Sequence, residues 1–408
     1  MRIAFMASCV PRRCGIATFT SDLMAAIKAA DPAVRCSYVA IDEAIQTRVY
    51  GPEVKRRIRQ GDPASYVSAA DWLNASNIDV VNVQHEFGLY GVHEGGTYRD
   101  HFVPFLRGLR KPVVTTLHTV LPQPEAWMRE SIRSICELST EVVVMVETAA
   151  RLLRDVYGVE RHPTVIPHGM PAVAPTGRGR FKKQLGVEDR QIISTFGLVD
   201  PRKGLEYVIE AMPSIVERHP EVLYLIVGQT HPELLRQHGE AYRNKLVALI
   251  ASLGLSEHVR FANEYLTQRQ IVDYLLATDV YVTPYLDPNQ ITSGTLAYAL
   301  GAGKAIVSTK YLHAVEALAH GRGILCEFRD AAGLGGAILS ILDDPELKKR
   351  LEERAYRYGK EMAWPHVGRR FLRLMRGLGP PQIDREVREA VLRPGNADRN
   401  AREAARIA

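Results

Sequence analysis

The sequence predicts an α/β protein of two lobes, each with a doubly wound parallel sheet between layers of helices. With 408 residues, the chain suits two domains of ordinary size. Short β-branched runs alternate with longer amphipathic segments, and this alternation stops at a segment rich in proline and glycine before it starts again. Because parallel strands need a crossover that a helix usually supplies, each stretch of alternation indicates its own parallel sheet.

The predicted elements follow this alternation in chain order. Six runs predict the strands of the first lobe: RIAFMAS, RCSYVAI, DVVNVQ, PVVTTL, EVVVMV and PTVIP. After the boundary segment VIPHGMPAVAPTGRGR, five runs predict the second sheet: QIISTFG, VLYLIVG, HVRFA, DVYVTP and AIVST. We therefore expect domains at residues 1–172 and 173–362, then a helix at 363–378. The charged, alanine-rich tail at 379–408 is expected to be a loose helix or disordered.

The composition is that of a folded globular protein. Hydrophobic residues make up 46% and charged residues 24%, which excludes a disordered or fibrous chain. The formal net charge of +6 is modest, and we expect no nucleic-acid partner. Arginines are concentrated at residues 54–60 and near the end of the chain. Solvated helix faces explain them most simply, and a weak association with an anionic membrane surface is the alternative.

The five cysteines indicate a reducing compartment. They stand at positions 9, 14, 36, 136 and 326 without a CxxC pair, which argues against a disulfide framework or a zinc site. The apolar run at the start is too short for a signal peptide or a membrane span, so we expect a cytoplasmic protein. The chain contains no DxD pair and no HExxH motif, so we expect neither a metal nor another cofactor.

Two open α/β lobes leave a cleft at the carboxyl ends of their strands, where such sheets bind ligands. Three segments of the first lobe follow strands. Gly15 precedes a helix and lets a ligand approach the backbone. His85 and Glu86 end the strand DVVNVQ and suit sugar hydroxyls or proton transfer, and His118 follows PVVTT. A tight turn, a structural His–Glu pair and a packed histidine are the simpler interpretations.

Two segments of the second lobe suit a phosphate. Arg202 and Lys203 follow the strand QIISTFG and can clamp it, although solvated turn residues explain them too. The stretch PNQITSGTLAYALGAGKAIVST predicts a polar loop that opens on a helix start. Backbone amides there, at Ser293, Gly294 and Thr295, have no helical partner and favour an anion. An ordinary capped helix is the alternative.

Taken together, these segments resemble glycosyltransferase family 4, the retaining enzymes with two facing Rossmann-like domains (the GT-B fold). The resemblance covers roughly residues 1–376 and depends on the glycine loop after the first strand, VVTTLH, VIPHG, PRKG and LGAGKAIVST. It implies that a last helix, near WPHVGRRFLRLM, crosses back to the first domain. It also implies metal-independent transfer of a hexose from a nucleotide diphosphate sugar to a sugar or other hydroxyl acceptor, with retention of configuration.

The resemblance also implies roles for the candidate residues. The catalytic set would be His118, Arg202, Lys203 and Glu86. The set that binds the donor and its phosphates would be Gly15, Lys203, Arg202, Gln290, Ser293, Gly294, Thr295 and Tyr298. The set that contacts the acceptor or the sugar would be His85, Glu86 and His168.

The chain departs from the family pattern at three positions. Family members usually carry two glutamates eight residues apart, the first on the donor sugar and the second on the ribose. Counted back from Gly303, these positions hold Gln290 and Tyr298. An arginine usually follows the glycine of the first turn, where this chain has Leu198, and we expect Arg202, four residues further on, to replace its charge.

Two other functions remain open. A phosphorylase that uses inorganic phosphate and a sugar 1-phosphate needs no ribose carboxylate. A noncatalytic protein that binds sugar phosphates is the alternative outside enzymes. The sequence leaves the sugar, the base, the acceptor and the oligomeric state undetermined.

Overall fold

Both predicted sheets are present in the computed structural model, which describes residues 1–12, 14–43, 48–94 and 97–378. The predicted tail at 379–408 lies outside the described residues. Within each main sheet the neighbouring strands are parallel. Each sheet has a hydrophobic core on both of its faces. The predicted pair of doubly wound α/β lobes is therefore confirmed.

The first lobe alternates strands and helices. Its strands are β1 (Arg2–Ala7), β2 (Arg35–Asp42), β3 (Val54–Arg59), β4 (Val80–His85), β5 (Gly91–Glu94), β6 (Thr97–Asp100), β7 (Val113–Leu117), β8 (Glu141–Val144) and β9 (Thr164–Val165). Its helices are α1 (Gly15–Ala30), α2 (Pro63–Ala75), α3 (Phe102–Gly108), α4 (Ala126–Leu138) and α5 (Glu147–Asp155).

The second lobe repeats this alternation. Its strands are β10 (Gln191–Phe196), β11 (Val222–Val227), β12 (Val259–Ala262), β13 (Val280–Thr283), β14 (Ala305–Thr309) and β15 (Ile324–Cys326). The helices of the rest of the chain are α6 (Arg178–Gln184), α7 (Leu205–Arg218), α8 (Pro232–His238), α9 (Ala241–Ser252), α10 (Gln268–Ala277), α11 (Gly294–Gly301), α12 (Leu312–Ala317), α13 (Ala331–Asp343), α14 (Pro345–Gly359) and α15 (Trp364–Arg376). Short 3-10 turns lie at Phe87–Leu89, Pro201–Lys203 and Lys360–Met362.

The strand order fixes where a ligand can bind. The first sheet has the order β3-β2-β1-β4-β7-β8-β9 and the second has the order β12-β11-β10-β13-β14-β15. In both sheets the direction of winding reverses beside the first strand, β1 or β10. Open parallel sheets bind ligands in the crevice outside the carboxyl ends of the strands at this reversal.

Three elements differ from the prediction or were not predicted. Residues 54–60, expected as a solvated helix face, contain strand β3 at the edge of the first sheet, and of its six residues only Ile58 is buried. Arginines suit an edge strand because their charges hinder pairing with another chain. The hairpin β5–β6 and the strand β15 have four residues or fewer per strand, too few for a clear hydrophobic period.

Helix α15 crosses back to the first lobe, as predicted. Its apolar face, which includes Trp364 and Phe371, joins the core that contains Phe19 and Leu23 of α1. A β-carbon on Gly368 would lie 2.8 Å from backbone atoms of Ala26, so the glycine permits this close helix packing. The C-terminal helix therefore ties the second lobe to the first.

None of the helices in the described ranges combines the length and the apolarity needed to cross a bilayer. The weak membrane-surface association remains a prediction.

Candidate active site in the cleft between the lobes

A cleft of about 720 Å3 lies between the two lobes at the carboxyl ends of their strands. This volume is in the range of small-molecule sites. Its wall in the first lobe and the interlobe segment includes Gly15, Phe19, Glu86, His118, Thr119 and His168. Its wall in the second lobe includes Gly197, Arg202, Lys203, Gln229, Glu264, Gln268, Gln290, Gly294, Thr295 and Tyr298. The cleft thus brings together most of the residues predicted from sequence.

Helix α11 begins at this wall. Ser293 is its N-cap, and its Oγ accepts a hydrogen bond from the amide of Leu296 at 3.3 Å. The amide of Ser293 donates to Nδ1 of His313 at 2.7 Å, and Ser293 is only 3% exposed. The amide of Ser293 is therefore not available to a phosphate, and the expected phosphate contact of Ser293 remains a prediction for its hydroxyl alone. Within the described chain, the amides of Gly294 and Thr295 donate to no other group, so two donors remain for an anion.

The side chain of Lys203 reaches the same helix start. Its Nζ lies 3.7 Å from the ring centroid of Tyr285, a favourable cation–π distance. A β-carbon built on Gly197 would lie 3.9 Å from this Nζ and 3.4 Å from Cγ2 of Thr295. The ammonium group and the first turn of α11 therefore border one small space in the cleft.

The turn that carries Lys203 requires glycine at the next position. Gly204 has a φ of +62°, and a β-carbon there would lie 2.2 Å from the carbonyl oxygen of Pro284. The motif PRKG therefore has a backbone reason for its last residue, which fixes the position of Lys203.

Arg202 is oriented differently from Lys203. Its Nε and Nη2 donate to the two carboxylate oxygens of Asp200 at 2.9 and 2.7 Å. The arginine side chain is 73% exposed and lies at the edge of the cleft. Because Asp200 already balances its charge, Arg202 adds less to the potential at the helix start than Lys203 does.

His118, directly after β7, is a neutral hydrogen-bond acceptor on the floor of the cleft. Its Nε2 lies 2.8 Å from Oε1 of Gln84, whose Nε2 donates to Asn82 at 2.6 Å. Because the amide oxygen of Gln84 can only accept a hydrogen bond, Nε2 of His118 carries the imidazole proton and donates it. Nδ1 therefore keeps its lone pair. Burial, with the neighbouring His168 and His85, lowers the pKa of His118 to about 3.

His168 lies beside the start of α11. Its Nδ1–H donates to the carbonyl oxygen of Gly169 at 2.7 Å, so its Nε2 carries the lone pair. A β-carbon on Gly294 would lie 3.0 Å from this Nε2. Burial lowers the pKa of His168 to about 4, so it too is neutral near pH 7. His118 and His168 thus both offer acceptor nitrogens and no positive charge.

Glu86 and His85 are adjacent in sequence but lie in different surroundings. Glu86 lines the cleft and accepts hydrogen bonds from the amide of Phe87 at 3.0 Å and from Thr119 Oγ1 at 2.8 Å. Burial raises its pKa despite these two donors. His85 is 2% exposed and lies outside the lining of the cleft, stacked on Tyr90. The expected sugar contact of His85 is therefore wrong, because successive strand residues point to opposite faces.

The other predicted donor residues all line the cleft. Gly15 is the first residue of α1, and a β-carbon there would meet no atom within 4 Å. Gln290 donates from Nε2 to the carbonyl oxygen of Thr292 at 3.2 Å. Tyr298 lies one helical turn beyond Gly294 and accepts a hydrogen bond from Gln268 at 3.0 Å. Their ligand-binding roles remain predictions.

Sequence reasoning missed several polar residues at the cleft. Gln229 and Glu264 follow the predicted strands VLYLIVG and HVRFA, so the signal that found Lys203 would have found them too. Gln268 lines the cleft at the start of α10, and His313 lies behind the start of α11. No local pattern indicates His313, because its partner Ser293 is twenty residues away.

The described residues contain no cluster of three or more His, Cys, Asp or Glu side chains placed to hold a metal ion. The expected lack of a metal and of another cofactor remains a prediction. Among the described residues that line the cleft, Lys203, the Asp200-paired Arg202 and the helix starts supply positive potential.

Solved structures share this architecture. HepE from Anabaena in complex with UDP aligns with a TM-score of 0.68 over 93% of this chain and 100% of that one, at 16% sequence identity. Sucrose-phosphate synthase from Thermosynechococcus elongatus aligns with a TM-score of 0.73 over 93% of this chain and 99% of that one, at 18% identity. The two-lobed architecture is thus the GT-B fold of glycosyltransferases.

Sequence profiles define the family. The profile described as Glycosyltransferase Family 4 matches residues 15–172, and the profile described as Glycosyl transferases group 1 matches residues 178–358. The chain belongs to the family 4 glycosyltransferases, and it is a hexosyltransferase.

Two curated relatives have similar sequences. Phosphatidyl-myo-inositol mannosyltransferase of Mycolicibacterium smegmatis is 25% identical over 78% of this chain and 76% of its own length. D-inositol 3-phosphate glycosyltransferase of Corynebacterium efficiens is 24% identical over 62% of this chain and 63% of its own length. The alignment with the second relative thus leaves more than a third of that protein unmatched.

Proposed function

We propose that the protein transfers a hexosyl group from a nucleoside diphosphate sugar to a hydroxyl acceptor, with retention of configuration and without a metal ion. The observation that carries the proposal is that Lys203 Nζ and Thr295 Cγ2 both lie within 4 Å of a β-carbon built on Gly197, while the amides of Gly294 and Thr295 have no acceptor among the described residues. A diphosphate leaving group develops negative charge as the glycosidic bond breaks. Preorganised donors that face this charge stabilise the transition state more than the ground state.

The first-lobe side of the cleft suits the sugar and the acceptor. His118 and His168 present lone pairs that accept hydrogen bonds from sugar hydroxyls. Glu86 presents a carboxylate held by Thr119 and by the amide of Phe87, which suits the hydroxyl of an acceptor. Closure of two lobes around both substrates excludes water, which would otherwise compete with the acceptor.

The donor part of the proposal is tested by calorimetric titration with UDP and GDP. Lys203→Met should weaken binding of the better ligand by about tenfold to a hundredfold, the loss of one charge-assisted hydrogen bond. Lys349→Met is the matched control, because Lys349 is exposed on α14. Gly294 is unsuitable for this test, since an added side chain would meet His168 as well as a ligand.

The transfer itself is tested with UDP-glucose and GDP-mannose as donors. The names of both curated relatives contain an inositol, so myo-inositol and inositol 3-phosphate are the first acceptors to try. We expect a product with the configuration of the donor, seen by NMR, at a rate that EDTA does not change. An inverted product, or a rate restored only by a divalent ion, would contradict the proposal. The proposed phosphate site between Lys203 and the start of α11 is called the phosphate seat below. Equal nucleotide affinities of Lys203→Met and Lys349→Met would show that the phosphates do not bind there.

One observation favours a phosphorylase as the second candidate. Tyr298 lies where the family usually has a carboxylate for the ribose, and a sugar 1-phosphate has no ribose to hold. Inorganic phosphate would occupy the same seat beside Lys203. Release of a sugar 1-phosphate from oligosaccharides by phosphate, with no binding of UDP or GDP, would support this candidate over the transferase.

A further inference from the structure

Tyr298 lies one helical turn beyond the helix start at which we propose that the phosphates bind. It follows Gly294 by four residues and Thr295 by three, so it shares their helix face and lies about 6 Å further along α11. His168 and Gln290 lie at the opposite end, near the first residue of the helix. With the transferred sugar beside His168, as proposed above, the pentose at the other end of the diphosphate lies toward Tyr298.

The surroundings of Tyr298 suit a nucleoside. Phe196, Leu266 and Ile271 line the cleft with it and offer apolar surface to a flat base. The phenol ring is itself only 7% exposed, and its edge meets the ring of Phe196 at a centroid distance of 6.1 Å. Tyr298 is therefore a fixed part of this wall.

The hydrogen bonds around Tyr298 leave one donor available. Nε2 of Gln268 donates to Oδ2 of Asp22 at 2.8 Å and to the phenol oxygen of Tyr298 at 3.0 Å. The two amide hydrogens are thereby used, and the phenol oxygen acts as an acceptor. Burial raises the pKa of Tyr298 to about 12, so the phenol keeps its proton at neutral pH. Toward a ligand, Tyr298 offers one neutral O–H and an aromatic surface.

A carboxylate at this position would act very differently. It accepts hydrogen bonds from both the 2′- and the 3′-hydroxyl of a ribose, and it is left with an unpaired buried oxygen when one hydroxyl is missing. A site built in that way discriminates strongly against the deoxy analogue. A phenol whose oxygen is already bonded to Gln268 has no comparable group to leave unpaired.

We infer that Tyr298 determines specificity by making the nucleoside subsite tolerant of the pentose. Ribonucleoside and 2′-deoxyribonucleoside diphosphates bind with similar affinity, and their sugars serve as donors at similar rates. The inference rests on the proposed function, because it needs a nucleoside diphosphate beside Lys203. Gln268 and Asp22 act as positioning residues that hold the phenol oxygen.

The test compares dissociation constants for UDP and 2′-deoxy-UDP, and for GDP and 2′-deoxy-GDP, by calorimetry. For the unmodified protein the two members of a pair should agree within about fivefold, since at most one neutral hydrogen bond is lost. Tyr298→Glu should raise the preference for the ribose form to about tenfold or more. Tyr298→Phe keeps the ring, so it should leave the ratio within about threefold.

The outcomes separate this inference from the proposed function. If both nucleotides of a pair bind and the unmodified protein prefers the ribose form by about tenfold or more, the inference is overturned and the proposed function stands. An unchanged ratio in a folded Tyr298→Glu protein also overturns it. If no nucleotide binds while inorganic phosphate does, the proposed function and the inference fall together. The ratio of the dissociation constants for the 2′-deoxy and ribose forms, measured on the unmodified protein, tests the inference even if Tyr298→Glu does not fold.

Discussion

The carboxylate of Glu316 in the second lobe accepts two hydrogen bonds from Thr148 in the first lobe. They come from the amide of Thr148 at 2.7 Å and from its hydroxyl at 2.6 Å, and the amide of Glu147 donates to the same carboxylate at 2.8 Å. Glu316 thus serves as the missing cap of α5, whose N-cap residue, Val146, makes no side-chain hydrogen bond. One lobe supplies the helix start and the other supplies its anion.

This interlobe cap predicts a control on lobe closure. Glu316→Ala should cost roughly 0.5 to 2 kcal/mol of stability, the usual loss for a cap, and shift the lobes toward an open arrangement. Small-angle X-ray scattering should show a larger radius of gyration, and KM for the donor should rise. Glu353→Ala is the control, because Glu353 is exposed on α14. Unchanged scattering in both variants would show that the cap does not hold the lobes.

His118 should affect turnover more than nucleotide binding. His118→Ala removes the imidazole of a residue that lines the cleft, and we expect kcat to fall by about a hundredfold, the scale of a lost transition-state contact. The dissociation constant for the nucleotide should change by less than about threefold, because the proposed phosphate site lies on the other lobe. His238→Ala, at an exposed position on α8, should leave both quantities unchanged. Normal turnover in His118→Ala would show that His118 does not contribute to the site.

The dependence of the rate on pH should report Glu86. Burial raises the pKa of Glu86 above its ordinary value of 4.5. The ionised carboxylate is the form that can accept a hydrogen bond from the hydroxyl group of the acceptor substrate. Activity should therefore fall as pH decreases through this raised pKa, and be retained above it. His118 and His168 add no step near pH 6.5, since burial lowers the pKa of His118 to about 3 and that of His168 to about 4.

A pH profile of kcat/KM tests this assignment. Glu86→Gln should remove the acidic step and lower the rate by about a hundredfold or more, the range of general acid–base contributions. A step near pH 6.5 that persists in Glu86→Gln would instead indicate a histidine that titrates in the usual range.

The close contact between α15 and α1 should make the stability of the protein sensitive to a side chain at Gly368. Gly368→Ala should destabilise the protein by roughly 1 to 3 kcal/mol, because the new methyl group meets the backbone at Ala26. Gly336→Ala, in α13, has no neighbour within 4 Å of the added carbon, so it should stabilise the helix by roughly 0.5 to 1 kcal/mol. Thermal unfolding measures both. Equal melting temperatures would show that the α15–α1 contact is loose.

The site was predictable where its signal is local. Lys203 and Gly294 follow strands of a parallel sheet, and the carboxyl ends of such strands meet at one edge, so their approach could be expected. The hydrogen bond from the amide of Ser293 to His313 could not be predicted, because it forms only after the chain has folded. The different positions of His85 and Glu86 could not be predicted, since the two residues are adjacent at the end of β4 and only the packed sheet decides which one faces the cleft.

The sequence by itself determined the two α/β lobes, the crossing helix and the family. These follow from hydrophobic period, from glycine and proline positions and from short motifs, which are properties of neighbouring residues. Only the tertiary structure decided the protonation of His118 through Gln84, the network of Asp22, Gln268 and Tyr298, and the cap that Glu316 provides for α5. Each of these joins residues far apart in the chain, and a hydrogen bond or a pKa depends on burial and on partners that folding alone brings within reach.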